Sequence, residues 1–187
     1  MKKIAVIGAG QMGAGIAQVS AVAGLQVYLS DLSLELAEKG KAGIAKQLGK
    51  LVEKEKMTKD AADAALARLI PVAGYAAMGD DELIIEAATE KAAIKGKIFE
   101  MAGKVLAADA ILASNTSSIP ITRMARGTVD PARFIGLHFF NPAASMRLVE
   151  PFSITSMPRA RPFSTMMRLT VRPVRKVRFG RLSTGFR

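Results

Sequence analysis

The chain of 187 residues contains no cysteine and only one histidine, His138. Disulfides, thiolate nucleophiles and cysteine metal centres are therefore excluded, and a lone imidazole cannot build a multi-histidine site. The absence of cysteine fits a cytoplasmic protein. No cluster with metal-ligand spacing, no P-loop and no nucleophile elbow occurs. Acid is missing from one region: residues 151–187 carry nine Lys and Arg and no Asp or Glu, whereas residues 1–150 carry 18 against 16. Of the net charge of +11, the final segment thus supplies +9, and the basic balance describes that segment rather than the chain before it. Charge is also missing between Lys3 and Asp31. A hydropathy scan there suggests a membrane span, and MKK before an apolar stretch mimics a secretory signal. Four glycines from Gly8 to Gly15, with Gln11, Gln18 and Gln26, suit a turn and a soluble helix instead.

What is present at the start is KKIAVIGAGQMGAG, a short apolar run followed by Gly8, Gly10 and Gly13 in GxGxxG spacing. That pattern reads as strand, glycine turn and helix. In a dinucleotide site Gly8 makes the tight turn, Gly10 lets backbone N–H groups approach a pyrophosphate, and Gly13 lets helix and strand pack closely. The helix N-terminus then faces the phosphates. A second run, LQVYLSD, ends in Asp31, 18 residues beyond Gly13, where the fingerprint expects an acid. Its carboxylate can accept hydrogen bonds from ribose hydroxyls and repels a 2′-phosphate, so NAD is expected over NADP.

Strand-like and helix-like segments then alternate. Residues 33 to 56 read as a long helix capped by Ser33, with Ile44, Leu48 and Leu51 on one face. A second helix runs from Thr58 to about Leu69. Strand-like LIPVAG, strand LIIEA at 83 to 87, a helix near 91 to 106, strand AILAS and strand RFIGLHF follow. The fold class expected is α/β: a Rossmann-type, doubly wound, mainly parallel sheet with an inserted helical pair at about 33–69. Lys39, Lys46, Lys50 and Lys54 form a stripe on that insertion, which reads either as a solvated face or as a surface for an anionic ligand.

Loops after strand ends are where such sheets bind ligands. Glu86 and Glu90 follow one strand, and Ser114, Asn115, Thr116, Ser117 and Ser118 follow another, a cluster equally suited to a turn and helix cap. His138 lies in GLHFFNPAASMRLVE, twelve residues before Glu150. An imidazole with a carboxylate to fix its tautomer suits a general base, although a histidine between a strand and a turn is more often structural.

GAGQMGAGIAQ, the Asp31 strand tip, EAATEKAAIKGKIF, ASNTSSIPIT and GLHFFNPAASMRLVE together resemble the NAD-binding domain of bacterial 3-hydroxyacyl-CoA dehydrogenases, the 3-hydroxybutyryl-CoA type in particular. The glycine motif is common to many dehydrogenases; SNTSS followed by HFFNP is far more specific. The resemblance implies that His138 takes the proton from the 3-hydroxyl while Glu150 holds its imidazole. It implies that Ser117 and Asn141 contact substrate oxygen and the nicotinamide ribose, and that Gly8, Gly10, Gln11, Met12, Gly13, Asp31, Glu90 and Lys95 place the cofactor. It also implies that Gln47 and Lys54 approach the coenzyme A moiety of an acyl-CoA substrate.

The resemblance spans residues 1–150, which divides the chain into an NAD-binding domain and a basic, irregular tail at 151–187. After Glu150 the family continues into a PGF motif, an asparagine and an all-helical domain that builds much of the cleft and the homodimer interface. The residues here are PFSITSMPRARPFSTMMRLTVRPVRKVRFGRLSTGFR, with Pro158, Pro162 and Pro173 interrupting regular helix. This tail reads as an out-of-frame or truncated product, with turnover impaired. The alternatives are an NAD-binding remnant without turnover and a basic extension that binds a polyanion through phosphate contacts. No recognisable nucleic-acid fold supports the last, and no membrane partner is expected.

Overall fold

The computed structural model describes residues 2–146 and 149–153. Seven strands form one sheet in the order β3-β2-β1-β4-β5-β6-β7. They are β1 (Lys3–Ile7), β2 (Gln26–Asp31), β3 (Leu69–Ala73), β4 (Leu83–Glu86), β5 (Ile111–Ser114), β6 (Phe134–Phe139) and β7 (Val149–Ser153). The first six run parallel and β7 returns antiparallel to β6. The order reverses between β1 and β4, which opens a crevice at the carboxyl ends of those strands, the place where doubly wound sheets take their ligands.

Two apolar layers sandwich this sheet because its parallel strands carry hydrophobic side chains toward both faces. On one face Ile4, Val6, Val27, Leu29 and Ile85 meet α1 (Gln11–Val22), α2 (Leu34–Glu53) and α3 (Lys59–Ala67). On the other, Ile7, Ile84, Leu112 and Phe134 meet α4 (Ala92–Gly103) and α5 (Ile121–Ala125). Phe99 of α4 sets its ring edge-on to Phe134, 5.0 Å between centroids, a geometry that aromatic quadrupoles favour.

The expected helical insertion is present, with its ends set by capping. Ser33 accepts a hydrogen bond from the Leu36 N–H at 3.3 Å, and Thr58 accepts one from the Ala61 N–H at 3.2 Å, which satisfies amides that the first helical turn leaves free. Helix α2 stops at Glu53 rather than at residue 56, since Glu55 takes the left-handed conformation with φ of 54°. Helix α3 ends two residues early because Leu69 is already paired in β3 with Val27. Strand β7 crosses the expected boundary at Glu150 and continues to Ser153. Pro151 sits opposite Leu137 in this ladder, and proline is admissible because β7 is the last strand in the order. The expectations for residues 154–187, including Pro158, Pro162 and Pro173, lie outside the described residues. No helix among the described residues is long and apolar enough to cross a membrane.

Just before β4, Asp81 is buried with neither carboxylate oxygen hydrogen-bonded. Burial, reinforced by the charge of Asp80, opposed by Lys3 and aided by Glu82, pushes its carboxyl up to about 7 from an ordinary 3.8. The folded state therefore holds a proton that the unfolded chain releases near pH 4. This site's contribution to stability is undiminished below that pH, falls as pH rises toward 7, and levels off above it. Replacing Asp81 with Ala removes the penalty. Urea unfolding should show an advantage of Asp81→Ala over the native chain that widens by on the order of 2 kcal/mol between about pH 5 and pH 8. An advantage that stays constant with pH would show that Asp81 is not the titrating group.

Candidate active site

The glycine turn is defined by what cannot fit in it. Gly8 has φ of +100°, and a Cβ there would lie 2.6 Å from the Ala88 Cα; a Cβ on Gly13 would lie 1.7 Å from the Gly8 carbonyl oxygen. Backbone therefore packs directly on backbone where β1, α1 and the loop after β4 meet. Gly10 differs: a Cβ there would find nothing within 4 Å. It precedes α1, whose start carries no side-chain cap. An open, side-chain-free approach to uncapped helix amides fits a pyrophosphate.

Asp31, at the end of β2, accepts the Ala9 N–H at 2.6 Å and the Leu32 N–H at 2.7 Å. The carboxylate thus ties the β2 tip to the glycine turn and remains half-buried at the crevice edge. Met12 packs against the core, while Gln11 is exposed and its Nε2 donates to Asn141 Oδ1 at 3.3 Å. That bond joins the cofactor turn to the segment following β6.

Beyond the switch point, the loops after β4 and β5 are cross-linked. Thr116 Oγ1 donates to Glu90 Oε2 at 2.7 Å and accepts the Ile119 N–H at 3.2 Å; Asn115 Oδ1 accepts the Phe139 N–H at 2.8 Å. Ser117 is exposed on this loop. Lys95 departs from expectation. Its side chain is fully buried, and its ammonium donates to Glu86 Oε2 and to Ser114 Oγ. The ammonium has no accessible surface in this structure and meets Glu86 and Ser114 instead of lining the open cleft as the resemblance implied. Burial and the Glu86 charge also push the nearby Tyr75 phenol above its ordinary range.

His138 and Glu150 are directly opposed in the antiparallel β6–β7 register, so their side chains share one face of the sheet. His138 Nδ1 lies 3.6 Å from Glu150 Oε2, with 22% and 46% of the side chains exposed. The imidazole also lies against the Phe140 ring, 4.6 Å between centroids. The interval of twelve residues noted in the sequence is thus a strand register closed by a loop. Gln47 is exposed on α2 and Lys54 just past its end. Lys39, Lys46 and Lys50 share the solvent side, opposite the buried Ala37, Gly40, Ile44 and Leu48. No contact among the described residues joins Gln47 or Lys54 to the His138–Glu150 pair. No group of acids or histidines able to hold a metal ion occurs among the described residues.

A glycine turn that opens onto an uncapped helix start, an acid at the β2 tip and a histidine–carboxylate pair at the carboxyl edge of one sheet are the parts expected of a nicotinamide-dependent dehydrogenase domain. Residues 3–162 match the family model described as 3-hydroxyacyl-CoA dehydrogenase, NAD binding domain, and the chain belongs to that family. It is 47% identical over 150 residues to the 3-hydroxybutyryl-CoA dehydrogenase of Bradyrhizobium diazoefficiens, covering 80% of this chain and 51% of that protein. It is likewise 47% identical over 148 residues to a probable 3-hydroxybutyryl-CoA dehydrogenase of Deinococcus radiodurans, covering 79% and 53%. The crystal structure of the (S)-3-hydroxybutyryl-CoA dehydrogenase from Ralstonia eutropha superimposes with a TM-score of 0.86 at 38% identity, over 91% of this chain and 62% of that one. The chain spans about half the length of the curated relatives it matches.

The two glycines that flank the start of α1 should respond differently to one added methyl. Gly13→Ala drives a Cβ into the Gly8 carbonyl and should cost about 3 kcal/mol or more of stability. Gly10→Ala, with φ of −69° and open space around it, should leave stability within about 1 kcal/mol while weakening NADH binding about tenfold. Thermal unfolding and NADH fluorescence titration of both variants check this. Unchanged NADH affinity in Gly10→Ala would remove the pyrophosphate from this turn.

Proposed function

We propose that this chain binds NAD(H) across the β1–β4 switch point and serves the interconversion of 3-hydroxyacyl-CoA and 3-oxoacyl-CoA. The observation that carries the reading is the His138–Glu150 pair, opposed in register on the edge where the glycine turn opens. Glu150 faces Nδ1, which favours the tautomer with the proton on Nδ1 and leaves the Nε2 lone pair free. Nε2 takes the proton of the 3-hydroxyl as the C3 hydride departs, and the carboxylate stabilises the resulting imidazolium. Bound NAD supplies the hydride acceptor. Partial exposure of His138 leaves the ring reachable by substrate.

The remaining assignments follow the same reading. Asn141, already tied to Gln11 of the cofactor turn, and Ser117, exposed on the loop after β5, flank the place where the nicotinamide ribose and the substrate oxygen meet. Glu90, held by Thr116, borders the same loop pair. Gln47 and Lys54 present an amide and a cation to the polar, anionic coenzyme A moiety, and the stripe of Lys39, Lys46 and Lys50 extends that positive surface.

Two measurements test the reading. Because the Asp31 carboxylate repels a 2′-phosphate, NADH should bind at least about 100-fold more tightly than NADPH by fluorescence titration. Equal affinities would remove Asp31 from the ribose site. Acetoacetyl-CoA reduction with NADH, followed at varied pH, tests the chemistry. Glu150→Gln should lower kcat by about 100-fold or more while NADH affinity stays within about twofold. Wild-type turnover in Glu150→Gln would reduce Glu150 to a structural residue. NADH binding without any turnover of the native chain would confine it to cofactor binding.

A further inference from the structure

Glu86 has no role in the chemistry above, yet it is fully buried at the carboxyl end of β4, directly beneath the crevice. It shares strand parity with Ile84 and so faces α4, as Ser114 does through its parity with Leu112. One of its oxygens accepts the Ala88 N–H at 3.0 Å; the other accepts Ser114 Oγ at 2.9 Å and the Lys95 ammonium. Lys95 also donates to Ser114 Oγ at 3.2 Å, which closes a three-membered set. Each of these partners leads to a different wall of the cleft. Ala88 is the residue whose backbone presses on Gly8. Ser114 begins the loop whose Thr116 holds Glu90 and whose Asn115 holds the Phe139 N–H, next to His138. Lys95 anchors the first turns of α4.

We propose that Glu86 is a positioning residue for the nicotinamide half of the cofactor site, its one carboxylate fixing the loops after β4 and β5 against the glycine turn. This inference rests on the cofactor reading above. In a sheet of this order the adenine half lies over β1 and β2, and the nicotinamide half over β4 and β5. Glu86 therefore acts on one half of the dinucleotide. Asp31, on β2, serves the other. The charge of Lys95 makes the carboxylate tolerable in an apolar layer, while the loops are held by its bonds to Ala88 and Ser114.

The test separates charge compensation from positioning, with NADH probing both halves of the site and ADP only the adenine half. Glu86→Ala/Lys95→Met removes the buried pair without orphaning either charge. It should weaken NADH about tenfold or more and leave ADP within about twofold. Glu86→Gln/Lys95→Met retains an acceptor for Ala88 N–H and a polar partner for Ser114, and should bind NADH within about threefold of the native chain. Ser114→Ala, a smaller change that keeps the ion pair, should weaken NADH about threefold or more with ADP unchanged. Circular dichroism establishes that each variant is folded. Native NADH affinity in both Glu86→Ala/Lys95→Met and Ser114→Ala would make the cluster purely structural and overturn the proposal. Equal losses of NADH and ADP would overturn it too, since they report general loosening. A native chain that binds ADP and NADH with no measurable affinity would instead overturn the cofactor reading itself.

Discussion

Everything at the carboxyl edge of this sheet depends on backbone touching backbone around Gly8. The Gly8 carbonyl meets α1 at Gly13, and the Gly8 Cα side meets the Ala88 main chain, with no space for a Cβ at either glycine. A third approach comes from α2, where a Cβ on Gly40 would lie 2.7 Å from the Ala9 Cβ. Removing side chains from these contacts brings β1, α1, α2 and the loop after β4 close enough to share one small opening. The free helix amides, the Asp31 carboxylate and the polar loops after β4 and β5 then converge without further arrangement. Close packing at a few glycines thus converts a generic α/β sheet into a shaped ligand edge.

Much of this was legible along the chain because it has a local signature. Glycines at fixed offsets, Ser33 and Thr58 before apolar-periodic runs, and apolar runs spaced by helices each specify their element within a few residues. Features that depend on pairing across the fold have no such signature. Lys95 is assigned to the cofactor by resemblance alone, and only the folded sheet shows Glu86 and Ser114 beneath it. Asp81 is one of three consecutive acids and looks like surface loop; its isolation comes from how the segment before β4 packs. The continuation of β7 past Glu150 was hidden because the boundary was set where the resemblance ended, whereas the pairing with β6 runs on to Ser153 and tolerates Pro151 in the last strand of the order.

The candidate catalytic pair illustrates both sides. Its members could be named from the sequence, through the motif that carries them, but their relation is a property of the sheet. Neither residue is drawn to the other by a strong bond: the separation of 3.6 Å and the half-exposed Glu150 leave the attraction modest. What holds them together is the ladder of five paired positions between β6 and β7. Orientation is delegated to main-chain hydrogen bonding, which sets the carboxylate beside the imidazole without a tight bond between the two.

That delegation places the pair by register rather than by reach. Residues on a strand alternate faces, so a slip of one position between β6 and β7 would carry Glu150 from beside the imidazole to the reverse side against α1. A slip of two would restore the facing but move the carboxylate about 7 Å along the strand. The loop that joins Phe139 to Val149 can change length without either effect as long as the pairing is kept. The constraint on this edge therefore falls on which residues pair, and not on how far apart they stand in the chain.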